Sequence, residues 1–174
     1  MIVDLLQKAK IRGTGMEKSE FADRVKECEK TLYRAARCIL GNNSDCEDAV
    51  ADAILSAWQK LDSLRDESFF RTWITRILIN ECKMRRRKYG RFLPYDEDKA
   101  ELIPSSESGD DYAEMYAVRH AIDSLDEGLR LAVVLYYIEG YSALETASMM
   151  KLPCGTVKSR LSRARKKLKE YLSE

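Results

Sequence analysis

Apolar positions recur at helical spacing along most of the chain, and no stretch alternates as a half-buried strand does. From Met16 to about Leu40 the stripe is Phe21, Val25, Cys28, Leu32, Ala36 and Ile39. Gly41-Asn42-Asn43 then ends the helix with residues that tolerate positive φ. Ser44 and Glu47 have capping-box spacing and predict a second helix, buried through Ala49, Val50, Ala53, Ile54, Ala57, Trp58 and Leu61. After a loop at 62–67, a third helix is expected from about Ser68 to Tyr89, with Phe69, Phe70, Trp73, Ile74, Ile77, Leu78 and Cys82. A fourth is expected from about Tyr112 to Ser124 and a fifth from Asp126 to Ile138, packing Leu129, Val133 and Tyr136/Tyr137 towards the segment that follows. That segment has a second capping box, Ser142 with Glu145, and apolar positions Leu144, Ala147 and Met150. Pro153 cannot continue a helix but suits the start of a new one. Val157, Leu161, Ala164 and Leu168 lie on one face of that last helix.

Two short helices, a tight turn and a basic second helix are the plan of a helix-turn-helix. The last helix carries Lys158, Arg160, Arg163, Arg165, Lys166, Lys167 and Lys169 off its apolar face. Charge alone leaves two readings open, a solvated face or a nucleic-acid surface. The third helix ends in Lys83, Arg85, Arg86, Arg87 and Lys88, and mixes Arg71 and Arg76 with aromatics and Asn80. Such a mixture suits stacked single-stranded bases, although Phe70, Trp73, Ile74 and Ile77 equally suit a core. Acids at Asp45, Glu47, Asp48 and Asp52 favour a helix start, or offer a surface to a basic partner.

Composition changes this picture through its arrangement. The 174 residues carry a net charge of only +1. Residues 1–92 hold a net +5, residues 93–124 a net −7 and residues 125–174 a net +3. Residues 93–112, rich in acid, Ser and Pro, read as a flexible linker. The expected fold is all-α: two small helical domains, at 16–92 and 113–174, joined by this acidic linker. The second contains the helix-turn-helix, and residues 1–15 form an N-terminal extension.

Several chemistries find no support. Five cysteines form no CxxC pair and the single His120 has no cysteine nearby, so no metal site is expected. No nucleophile–base pair or Gly-rich phosphate loop is present, so neither catalysis nor a cofactor is expected. No apolar run approaches the roughly 18–20 residues that span a bilayer, and the first residues lack a secretory h-region. The expected location is cytoplasmic.

Two stretches closely resemble the extracytoplasmic-function (ECF) group of bacterial RNA polymerase sigma factors. One contains PCGTVKSRLSRARKKL, from Pro153 to Leu168; the other is DCEDAVADAILSAWQKL followed by FFRTWITRILINECKMRRRK. The resemblance implies binding to core RNA polymerase and promoter-specific initiation, under control of an anti-sigma factor. It implies a polymerase contact at Asp48, Ala51 and Asp52, where the family's usual Asp-Leu-Val-Gln-Glu reads Asp48-Ala49-Val50-Ala51-Asp52. It implies −10 recognition by the loop at 62–67 with Trp73, Arg76 and Asn80, and phosphate contacts from Lys83, Arg85, Arg86 and Arg87. It implies −35 recognition by Thr156, Lys158, Ser159, Arg160 and Arg163. The chain departs from the family in having Lys151 where a turn Gly is common and Thr146 where an aliphatic residue is usual. An autonomous helix-turn-helix regulator is the runner-up; it has no need of the aromatic-basic third helix.

Overall fold

The computed structural model describes residues 16–89 and 112–173. The expected extension at 1–15 and most of the expected linker at 93–112 lie outside the described residues. The described residues are helical, with no strand among them, and fall into two units divided between Tyr95 and Asp96.

The first unit has three helices: α1 (Lys18–Leu40), α2 (Asn43–Gln59) and α3 (Phe70–Tyr89). Each packs on the other two. Phe21, Val25, Leu32, Ile54, Ile74, Leu78 and Ile79 are fully buried between them. Each large side chain so buried contributes about 1.5–3 kcal/mol by the area removed from water. Phe21 sits edge-on to Trp58 and Phe70 at centroid distances of 4.9 and 5.6 Å. Gly41 stops α1 at φ 81°, a value that favours glycine. The second helix starts earlier than its predicted Ser44 cap. Asn42 takes that position, its Oδ1 accepting from Asp45 N at 2.8 Å. Arg37, 3% exposed, donates to Asn43 Oδ1 at 2.7 Å and ties the end of α1 to the start of α2. Cys28, Cys38, Cys46 and Cys82 are buried. Burial pushes the Cys46 thiol up to about 12, so these thiols pack as small apolar groups.

The second unit contains α4 (Tyr112–Asp123), α5 (Glu127–Val133), α6 (Ala143–Met150) and α7 (Cys154–Tyr171). A wide turn, Val134–Ile138, prolongs α5, with Glu139 N donating to Val134 O at 2.9 Å. Its five-residue reach shifts the helical phase. Tyr136 and Tyr137 therefore emerge 36% and 50% exposed; Tyr137 still meets the helix-turn-helix, its Oη accepting from Arg165 of α7. The Ser142–Glu145 capping box forms in both directions. Leu144, however, is 72% exposed: the buried face of α6 is Thr146, Ala147, Met149 and Met150, and Leu144 lies on the other side. α6 ends at Lys151 in the left-handed conformation, φ 57° and ψ 50°. α7 packs Val157, Leu161 and Ala164 against α5 and α6.

Candidate nucleic-acid and polymerase surfaces

On α3, residues 76, 80, 83 and 87 follow i, i+4, i+7 and i+11, which aligns them along one face. Arg76 and Arg87 are exposed and Asn80 and Lys83 half-buried. This stripe joins four of the seven residues expected at the −10 element. Arg86 lies off it, half-buried. Arg85, nine residues beyond Arg76, faces the opposite side of the helix. There it meets the acids of α2: its Nη1 donates to Asp48 Oδ2 at 3.3 Å and its Nη2 to Asp52 Oδ2 at 2.5 Å. Burial pulls the Arg85 guanidinium down, but the two carboxylates outweigh it and hold it above its ordinary value. A residue expected on phosphate is thus committed to the acids expected on polymerase. Asp48 and Asp52 keep 63% and 54% of their side chains exposed, and Ala51 is half-buried beside them.

Trp73 also departs from its expected role. It is 6% exposed and packs against Phe70 at 5.9 Å, leaving no open face for a base. Its indole Nε1 donates to Ser63 Oγ at 3.3 Å. Trp73 therefore anchors the loop that the sequence assigns to the −10 element. The other end of that loop is held by Arg24, whose Nη1 donates to Glu67 O at 3.1 Å and whose Nη2 pairs with Glu67 Oε2. Asp66 Oδ1 accepts from Ser68 N at 2.9 Å and from Ser68 Oγ at 2.7 Å, which lowers the Asp66 carboxyl below its usual range. Phe69, beside this turn, is 54% exposed.

In the second unit, α7 follows the turn at Lys151 and begins behind Pro153. Lys158, Ser159, Ser162, Arg163 and Lys166 recur at i, i+1, i+4, i+5 and i+8 and are all exposed. They form a continuous stripe opposite buried Val157, Leu161 and Ala164. Ser162 belongs to this stripe and was missed from the sequence; its position four beyond Lys158 and three beyond Ser159 was the available signal. Thr156 is half-buried in the first turn, and its carbonyl accepts from Ser159 Oγ at 3.2 Å. Arg160 stands apart from the stripe. It is half-buried and turned towards α5, so close that a Cβ on Gly128 would lie 2.8 Å from its Nη1. Arg165 donates to Tyr137 Oη at 2.9 Å, and Lys167 to Asp126 Oδ2 at 3.0 Å.

Two helical units, one ending in a helix-turn-helix with an exposed basic stripe and the other with a basic face on its last helix, define a class of transcription factors. Family models match both: Sigma-70 region 2 over residues 24–92, and Sigma-70, region 4 over residues 115–168. The chain is 34% identical over 145 residues to the ECF RNA polymerase sigma factor SigM of Mycobacterium tuberculosis, covering 82% of this chain and 72% of the relative. It is 35% identical over 136 residues to the ECF RNA polymerase sigma-E factor of Escherichia coli K12, covering 71% of each. Among solved structures it is similar to the sigma factor RpoE of Bartonella quintana, in complex with the anti-sigma factor NepR. The TM-score is 0.74 and the identity 27%, covering 89% of this chain and 98% of that one. It is also similar to CnrH, in complex with the cytosolic domain of CnrY, with a TM-score of 0.64 and 25% identity over 99% of this chain and 94% of that one. The chain belongs to the ECF RNA polymerase sigma factors, a family of transcription initiation factors. No described helix is long and apolar enough to cross a membrane.

Proposed function

We propose that the chain binds core RNA polymerase in the cytoplasm and directs initiation by recognising a −10 element with its first unit and a −35 element with its second. It does so by binding, without catalysing a reaction of its own. The observation that carries this reading is the pair of basic stripes, Arg76–Asn80–Lys83–Arg87 on α3 and Lys158–Ser159–Ser162–Arg163 on α7. Each combines cations that suit phosphate with side chains able to reach base edges. Arg86 adds charge beside the first stripe, and Thr156 sits at the entry to the second.

The division into a −10 domain at 16–92, a linker at 93–112 and a −35 domain at 113–174 follows from the same assignment. In it the exposed acids Asp48 and Asp52, with Ala51 between them, face polymerase. Trp73 holds the −10 loop in place from beneath instead of stacking on a base. An anti-sigma factor is the expected controller, since the similar sigma factor RpoE of Bartonella quintana was solved in complex with the anti-sigma factor NepR.

The test is run-off transcription with purified core polymerase. Promoters would be taken from transcript starts that appear on overexpression. Core polymerase should initiate at those starts only when the protein is added. Tight binding to duplex DNA by the protein alone, with no initiation under any condition, would favour an autonomous regulator instead.

A further inference from the structure

A cleft of ≈ 600 Å³ opens between the start of α5 and the last three turns of α7. Arg160, Arg163, Lys166 and Lys167 line it from α7; Gly128 and Leu129 line it from α5. Two acids, Asp126 and Glu170, stand at its edges. Both acids are engaged: Asp126 accepts from Lys167 at 3.0 Å, and Glu170 lies 4.0 Å from Lys166. Arg160 and Arg163 have no acceptor or ion pair among the described residues. They are three residues apart on one helix, a spacing at which like charges repel. Arg160 is also half-buried, its guanidinium resting on the bare backbone of Gly128.

A partly desolvated guanidinium with unused fork geometry suits an oxyanion, above all one that accepts two parallel N–H bonds. The chemistry alone admits a carboxylate or a phosphate. Position decides between them. Arg163 and Lys166 belong at once to this cleft and to the exposed stripe of α7. A strand bordering the groove read by that stripe would pass the mouth of the cleft.

We propose that the cleft between α5 and α7 is a phosphodiester clamp, in which Arg160 and Arg163 hold one backbone phosphate flanking the −35 element. This rests on the assignment of α7 to the −35 element and sharpens it: Arg160 is a positioning residue that carries no base preference. Gly128 is what admits it. A Cβ there would lie 2.8 Å from Arg160 Nη1 and 3.1 Å from its Cζ, so a larger residue obliges the end of this flexible side chain to shift.

The experiment uses holoenzyme assembled from the full chain and core polymerase. Its probes are a promoter duplex and a panel with each −35 base pair substituted, titrated over a range of salt. Arg160→Ala should weaken binding by a similar factor across the whole panel, and its salt slope should be shallower by about one. Gly128→Ala should act in the same direction. Alanine favours the helix of α5, so the unfolding midpoint of that variant should not fall. This separates lost clamping from lost folding. Lost discrimination at a single base pair in Arg160→Ala would make Arg160 a base reader and overturn the clamp. So would an unchanged salt slope. Wild-type holoenzyme that ignores every −35 substitution would instead defeat the parent assignment, and the clamp with it.

Discussion

At the scale of single residues, two departures from the family pattern have measurable consequences. Thr146 is fully buried, and its Oγ1 finds no hydrogen-bond partner among the described residues. A buried hydroxyl without a partner costs about 1–3 kcal/mol. Thr146→Val keeps the shape and removes the polar atom. It should stabilise the second unit by about 1 kcal/mol, raising the thermal midpoint of a domain this size by roughly 4–8 °C. Lys151 is the single non-glycine residue at positive φ among the described residues. Left-handed backbone costs an L-residue about 1–2 kcal/mol. Part of that gain is offset by the greater freedom of glycine in the unfolded chain. Lys151→Gly should therefore raise the denaturant midpoint by the equivalent of roughly 0.5–1 kcal/mol, with the slope unchanged. Both positions were legible in the sequence as departures. That the Thr146 hydroxyl goes unpartnered was not, because it depends on what surrounds α6.

At the scale of elements, the pairing of α2 with α3 sets a sign that the sequence did not contain. Arg85 pairs with both Asp48 and Asp52 in the free protein and offsets one of their two charges. Exposed acids of this kind contribute little to stability, on the order of 0.2–1 kcal/mol per pair. A double-mutant cycle between Asp52→Asn and Arg85→Ala should return a coupling in that range. Their effects on polymerase should be opposite. Asp48→Asn/Asp52→Asn should weaken competition for core polymerase, while Arg85→Ala should strengthen it by leaving both carboxylates unopposed. Equal weakening by both variants would show that the ion pair itself is what polymerase requires. Helix periodicity alone could place Arg85 opposite Arg76, but a run of five basic residues reads in sequence as one patch. Only the packing of α3 against α2 divides it.

The same limit appears elsewhere among the elements. The capping box at Ser142 and the helix break at Gly41 were readable because they depend on local backbone chemistry. The cap at Asn42 displaced the predicted Ser44, since both residues offer a side-chain acceptor two places apart. Tyr136 and Leu144 lie off the faces that hydrophobic spacing assigns them. A wide turn after Val133 shifts the phase at Tyr136, and the buried face of α6 runs through Thr146, Ala147, Met149 and Met150, on the other side from Leu144. Hydrophobic spacing does not register such a shift. Trp73 shows the reverse case: an aromatic among cations has two good uses, and only its burial on Phe70 and its bond to Ser63 select the core.

At the scale of the whole molecule, the chain places one basic stripe in each of two helical units, in the order of the two family models. In the proposed function these stripes divide the work of promoter recognition. The most direct measurement is initiation by reconstituted holoenzyme on a matrix of promoters substituted in either element, with Asn80→Ala and Lys158→Ala as the two probes. Asn80→Ala should change the response to −10 substitutions and leave −35 discrimination intact. Lys158→Ala should reduce initiation through the −35 element alone, leaving the −10 response intact. If both variants alter the response to the same element, or if neither interacts with either, the division of labour is contradicted.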